Sequence, residues 1–162
     1  MKRGEMYYND KNDPNGMSKE AYYFIGGLMK HIKAMTFITN PIVNSYKRFV
    51  PGFEAPVHIA WSRKNRTPLI RIPADRGGNV RIELRSPDTA ANPYLALAVC
   101  LAAGLDGIRS KIMPPDSIDR NLFEMSEEEL KEAGVEKAFQ MNLMEACQEF
   151  EKDEYIKKCA WK

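Results

Sequence analysis

Apolar residues recur at helical spacing in the first part of the chain and change to a two-residue period in the middle. Tyr22, Ile25, Met29, Ile32 and Met35 share one face of a helix that Ser18 caps and that runs to about Met35. A turn sequence, Asn-Asp-Pro-Asn-Gly at 12–16, precedes it. Gly26-Gly27 lies inside the helix, where a glycine costs roughly 1 kcal/mol relative to alanine. A tolerated pair therefore points to close approach of another backbone, the alternative being a weakened helix end.

Residues 36–56 read as an irregular loop punctuated by Pro41, Pro51 and Pro56. Three short strands follow. Val57, Ile59 and Trp61 alternate with His58, Ala60 and Ser62; Ile70 and Ile72 alternate with Leu69 and Arg71; Val80, Ile82 and Leu84 alternate with Arg81, Glu83 and Arg85. Such alternation predicts half-buried, antiparallel strands. Asn92-Pro93 opens a helix to about Ile108 that is apolar nearly all round, which predicts a buried central element. Ser126 with Glu129 forms a capping box for a short helix that Gly134 is placed to end, and Asn142 with Glu145 opens the last helix. The fold class expected is α+β, a small antiparallel sheet packed against helices.

Composition narrows the function. The 162 residues are 44% hydrophobic and 28% charged, with a net charge of +2, an ordinary soluble composition. The N-terminus is polar, and the apolar run 94–105 is shorter than the roughly 20 residues of a membrane span. The expectation is a cytoplasmic protein that uses no membrane. Cys100, Cys147 and Cys159 match neither a zinc spacing nor a disulfide framework, and Cys100 reads as a small core residue. His31 and His58 lack ligand partners at metal spacing and read as structural. The basic stretch from Arg63 to Arg85 is broken by prolines and carboxylates and has few aromatic stacking positions, which argues against nucleic acid.

The candidate chemistry lies between Asn44 and Tyr94. Side chains at i and i+2 of a strand share a face roughly 6.5–7 Å apart, so Arg81, Glu83 and Arg85 lie together while Val80, Ile82 and Leu84 face the core. Such a row is either a surface ladder of charges or a carboxylate held ionised by arginines, a good oxygen ligand for a hard cation. Arg71 points away from Ile70 and Ile72, and Arg66 lies in the loop before it. Arginine's planar fork matches phosphate and carboxylate oxygens. Arg48 and Glu54 sit in a loop stiffened by Pro51-Gly52 and Pro56; Glu54 reads as a surface glutamate or as a carboxylate held to act as a base. Arginines with interspersed carboxylates suit a site that binds phosphate and carboxylate groups together, as an ATP-dependent ligase does.

These segments carry a resemblance. Asn-Pro-x-Val-Asn-Ser-Tyr-Lys-Arg-x-Val-Pro-Gly-Phe-Glu-Ala-Pro, Asn-Arg-Thr-Pro-Leu-Ile-Arg-Ile-Pro, Arg-Ile-Glu-Leu-Arg-Ser-Pro-Asp and Ala-Asn-Pro-Tyr-Leu-Ala-Leu, in this order, resemble the C-terminal half of type I glutamine synthetases. The resemblance implies an enzyme that uses ATP to phosphorylate L-glutamate, and ammonia to displace the phosphate, with two or three Mg2+ or Mn2+ ions. By motif position it implies that Arg48 holds substrate glutamate. Glu54 would lie on a flap and help deprotonate ammonium, Arg66 would contact the transferring phosphoryl group and glutamate, and Arg71 would bind ATP phosphates. Glu83 would be a metal ligand and Arg85 would bind glutamate or the phosphoryl group. Full-length relatives are expected to be homo-oligomers, dodecamers of stacked hexagonal rings.

The departures set further expectations. The sequence reads as a partial catalytic domain over 1–162, without the family's N-terminal β-grasp domain and most of its metal ligands. Phe139-Gln140-Met141 replaces a Leu-Pro-Gly turn, so 138–162 reads as an atypical tail. Phe123 follows Asn121-Leu122 where some type I enzymes carry a modifiable tyrosine, so adenylylation there is not expected. Little activity is expected of the chain alone. The alternatives are a truncated non-catalytic subunit or interaction module, and a γ-glutamyl ligase that uses another amine.

Overall fold

The computed structural model describes residues 9–50, 52, 55–73, 80–137 and 142–160, with 136–137 as backbone. Helix α1 spans Lys19–Thr39, with the Ser18 side chain accepting from the backbone N–H of Ala21. Helix α2 spans Pro93–Ser110, capped by Asn92, whose side chain accepts from the N–H groups of Tyr94 and Leu95. The two helices run antiparallel. Gly27 abuts Ala103 and Gly107, Lys30 reaches Asp106 at 2.9 Å, and the N–H of Asp88 bonds the Thr39 carbonyl at the other end.

The glycine pair does what its cost predicted. A Cβ on Gly27 would collide with the Ala103 carbonyl oxygen and the Gly107 backbone, and one on Gly26 with the Ile112 carbonyl. Ala21, Ile25, Leu28, Ile32 and Met35 are buried on α1. Helices α4 (Leu143–Lys152) and α5 (Glu154–Ala160) complete the layer. The Phe150 ring lies 5.3 Å from that of Phe37, and the Tyr155 hydroxyl donates to the Ala102 carbonyl at 3.2 Å. The last helical stretch is thus two helices broken at Asp153, which ends one and supports the start of the next.

Among the described residues, five two-residue strands make two small sheets. Strand β1 (His58–Ile59) pairs antiparallel with β5 (Glu136–Lys137). Strands β2 (Trp61–Ser62), β3 (Ile70–Arg71) and β4 (Glu83–Leu84) form the other, in that order. The α+β class holds, but the pairing is mixed: β2–β3 is parallel and β3–β4 antiparallel. Period-two alternation reports which face a side chain takes, not the direction of its neighbour. Here the intervening loop doubles back so that the N–H groups of Ile70 and Ile72 reach the carbonyls of Ala60 and Ser62. Nor is the first strand half-buried, since Val57, His58, Ala60, Trp61 and Ser62 are all buried.

Residues Val43–Arg48 form a 3-10 helix inside the segment expected to be irregular. Helix α3 (Glu127–Glu132) has the anticipated capping box, and Gly134 follows it at φ +69. The expectation for α2 fails. It is not buried all round, because Tyr94, Leu95, Leu97, Leu101 and Leu105 are exposed. Hydrophobicity around a helix says that cover is needed; it does not supply the cover. Among the described residues no helix is long and apolar enough to cross a membrane. His31 and Cys100 are packed within the helical layer, and burial pushes the Cys100 thiol up to about 11.

Candidate active site

Cross-strand register builds the centre of the site. Arg71 on β3 is the direct partner of Glu83 on β4, and its Nη1 lies 3.4 Å from Glu83 Oε2. Arg85, two residues beyond Glu83, places Nε 3.9 Å from Oε1 of the same carboxylate and donates from Nη1 to the Pro68 carbonyl at 3.4 Å. One carboxylate is therefore flanked by two guanidinium groups on a shared sheet face.

The β2–β3 loop brings in Arg66. Ser62, fully buried, accepts at Oγ from the N–H groups of Lys64 and Asn65 at 3.2 and 3.1 Å, and donates to Asp119 Oδ1 at 2.7 Å. Asn65 accepts from the N–H of Thr67 at 2.8 Å and donates to the Arg120 carbonyl. Thr67 Oγ1 in turn accepts from the N–H of Leu122 at 3.2 Å. These bonds fix the loop on both sides of Arg66. Arg66, Arg71, Glu83 and Arg85 then line one open hollow of about 610 Å³ with Gly52, Thr67 and Phe123.

Arg48 lines an adjoining hollow of about 230 Å³ with Ala55, Leu84, Glu83 and Arg85. The last two belong to both hollows, so the spaces are contiguous at those side chains. Arg48 is held by donation from Nη2 to the Ser86 carbonyl at 2.6 Å and to Asn40 Oδ1 at 3.2 Å, and from Nε to the Ser45 carbonyl at 3.4 Å. Its guanidinium carbon stands 5.4 Å from the centre of the Phe49 ring. Nearby, a hydrogen bond from Ser45 holds the Asp88 carboxyl below its ordinary range; the Ala90 N–H and the Arg48 charge add to this against the opposing effect of burial.

Five of the six sequence candidates thus meet around two joined hollows: Arg48, Arg66, Arg71, Glu83 and Arg85. Glu54 lies outside the described residues. Sequence reasoning missed Thr67 and the Ser62–Asn65 wiring; an Asn two residues before a threonine in a proline-broken loop is an Asx-turn signal that could have flagged them. His58, expected to point out of its strand, is buried, its ring 6.4 Å from that of Phe123.

The chemistry of the donor set is that of an anion site. Four guanidinium groups line the two hollows, where Glu83 is the one carboxylate among the described lining residues, and guanidinium forks match phosphate and carboxylate oxygens. A divalent cation fits less well. Among the described residues there is no group of three or more His, Cys, Asp or Glu that could hold a metal ion. Glu83 offers oxygens to a cation, but it is engaged by Arg71 and Arg85. Magnesium takes near-octahedral oxygen coordination, which these residues alone do not furnish.

A family model described as the glutamine synthetase catalytic domain matches residues 1–161. The chain belongs to the glutamine synthetase family. It is 54% identical over 157 residues to a glutamine synthetase of Clostridium saccharobutylicum and 52% identical over 160 residues to one of Methanocaldococcus jannaschii, covering 97% and 98% of this chain. In both cases it spans 35% of the relative, so it corresponds to about a third of those synthetases. Among solved structures it is similar to a GmaS–ADP complex, with TM-score 0.81, and to GmaS without ligand, with TM-score 0.77. Both are 38% identical; each alignment covers 96% of this chain, and 35% and 34% of the GmaS chains.

Proposed function

We propose that this chain supplies the arginine-lined wall of an ATP-dependent ligase site that joins ammonia to L-glutamate. The observation that carries the reading is the convergence of Arg66, Arg71 and Arg85 on one hollow, with Arg48 in the space beside it. In this reading the γ-phosphoryl group of ATP passes to an oxygen of the glutamate side-chain carboxylate, releasing ADP. Ammonia then attacks the carbonyl carbon of γ-glutamyl phosphate, and inorganic phosphate leaves with the C–O bond electrons, giving L-glutamine and a proton.

Each residue has a role in that sequence. Arg71 and Arg66 bind the phosphates, with Arg66 on the group in transfer; fixed positive donors aimed at developing phosphate charge are the main device of phosphoryl transfer. Arg48 holds a glutamate carboxylate and Arg85 the substrate or phosphoryl oxygens. Glu54 deprotonates ammonium. Mg2+ or Mn2+ would screen charge between the phosphates when bound. Glu83 is the described residue able to offer such an ion an oxygen, and the remaining ligands must come from elsewhere in the enzyme. The setting is cytoplasmic, in a homo-oligomer.

The lack of a metal-ligand group among the described residues favours a second statement: the isolated chain turns over little or not at all. Two measurements separate the claims. ATP titration followed by thermal shift or calorimetry reads phosphate binding by the arginines, and loss of that binding in Arg71→Ala is the expected result. A coupled ADP-release assay with glutamate and ammonium reads turnover. Failure of ATP to bind wild type any better than Arg71→Ala sinks the phosphate assignment; full enzymatic rates sink the incompleteness claim.

A further inference from the structure

Arg48 is held differently from Arg71 and Arg85. Those two lean on the Glu83 carboxylate. Arg48 leans on neutral acceptors: both N–H groups of Nη2 go to the Ser86 carbonyl and Asn40 Oδ1, and that of Nε to the Ser45 carbonyl. Asp88, whose carboxyl feels the Arg48 charge, bonds instead to Ser45, Thr89 and the Ala90 N–H. A guanidinium has five N–H donors, so among the described residues Nη1 keeps two of them for a ligand in the hollow that Arg48 lines.

Asn40 is the side chain in this arrangement. It is fully buried and caps the C-terminus of α1, its N–H donating to the Thr36 carbonyl at 2.9 Å. Thr39 settles which way its amide faces. The Thr39 hydroxyl donates to the Met35 carbonyl at 3.1 Å, so it has only acceptor capacity left, and Asn40 Nδ2 donates to it at 3.1 Å. Oδ1 is therefore the end turned to Arg48.

We propose that Asn40 is a positioning residue for the amino-acid substrate: its neutral amide fixes Arg48 without compensating its charge, so that the undiminished guanidinium meets a substrate carboxylate through Nη1. The inference rests on the assignment of Arg48 to glutamate. An aspartate at position 40 would hold the guanidinium as firmly and cancel its charge. An alanine would keep the charge and release the group.

The test is titration of the whole chain with L-glutamate, read by ligand-observed NMR, which registers weak binding, beside thermal melts and ATP titration of each variant. Arg48→Ala is expected to weaken glutamate binding furthest. Asn40→Asp is expected to weaken it about tenfold, as a second charge opposing the carboxylate in a half-buried site implies, while ATP binding stays nearly unchanged. Asn40→Ala is expected to weaken it several-fold, and to add nothing on top of Arg48→Ala. That non-additivity is the readout that a merely structural role would not produce. Glutamate binding at wild-type strength in both Asn40 variants overturns the proposal while Arg48→Ala still weakens it. Additive losses from Asn40→Ala and Arg48→Ala overturn it too, as does an Asn40→Ala chain that fails to fold, since Asn40 would then serve α1 and not the arginine. If Asn40→Asp does not fold, the alanine cycle decides. No glutamate binding by wild type, or undiminished binding in Arg48→Ala, removes the reading underneath and the proposal with it.

Discussion

Arg71 and Glu83 face each other as direct partners across antiparallel strands β3 and β4, with Nη1 3.4 Å from Oε2. The Arg71 and Glu83 side chains are 24% and 40% exposed, so water screens their attraction and the pair contributes about 0–1 kcal/mol to stability. The same arginine facing an anionic phosphate in the hollow is worth more, since hydrogen bonds to charged groups contribute about 1.5–3 kcal/mol. Arg71→Ala is expected to leave the urea midpoint nearly unchanged while weakening ATP binding about tenfold or more. Calorimetric titration beside a denaturation curve checks both halves.

Gly27 carries a different kind of constraint. A methyl group there meets the Ala103 carbonyl and the Gly107 backbone, atoms that cannot rotate away, so the helices must separate. Overpacking of a well-filled contact costs about 1–3 kcal/mol and occasionally more. Gly27→Ala is expected at or above the top of that range. Gly134→Ala is the control, because its surroundings are open and only its φ of +69 is strained; about 1–2 kcal/mol is expected from the left-handed conformation. Urea denaturation of both variants gives the comparison.

Helix α1 is tied to α2 and to the α4–α5 junction through His31, whose Nε2 lies 2.9 Å from Asp106 Oδ2 and whose Nδ1 lies 2.5 Å from Asp153 Oδ2. Asp106 also accepts from Lys30 at 2.9 Å. Burial pushes the Asp106 carboxyl up, but the hydrogen bonds and charges of Lys30 and His31 outweigh it and hold it below its ordinary 3.8. A lowered folded value means that the unfolded chain binds the proton first. Stability from this group is therefore present above the ordinary value and lost as pH falls through the lowered one. Asp106→Asn is expected to lower stability at neutral pH and to flatten the acid limb between about pH 5 and about pH 2. Thermal melts across that range check the sign; an acid limb as steep as wild type would remove Asp106 from the account.

Local chemistry was legible and long-range pairing was not. Ser18, Asn92, Ser126 and Asn142 were readable as caps because each acts within three residues of itself. The shared face of Glu83 and Arg85 followed from the strand period, and Gly26-Gly27 from its cost. His31 was readable only as a histidine without near partners, since its carboxylates are 75 and 122 residues away in sequence. The parallel β2–β3 pairing was invisible for a related reason. It depends on a loop whose shape is set by Asp119, Arg120 and Leu122, far along the chain. Most of the site was legible because Arg66, Arg71 and Arg85 lie on one short loop and along or just beyond adjacent strands, where sequence neighbours are also neighbours in space; Arg48 joins them from the 3-10 helix Val43–Arg48.

That loop gives the last prediction. Ser62 Oγ ties two backbone N–H groups and Asp119 together at the start of the loop that carries Arg66. The orientation of Arg66 toward the hollow therefore depends on backbone that Ser62 organises. Ser62→Ala leaves those donors without this acceptor, at about 1–3 kcal/mol, and frees the segment carrying Arg66 while the β3–β4 ladder under Arg71 stays paired. Ser62→Ala should weaken ATP binding several-fold, and adding it to Arg66→Ala should weaken binding no further, because the serine acts through that arginine. Ser62→Thr, which keeps the hydroxyl, should restore much of the affinity. Strict additivity of Ser62→Ala and Arg66→Ala in a double-mutant cycle, read by calorimetry, would instead make Ser62 a stability residue with no bearing on the site.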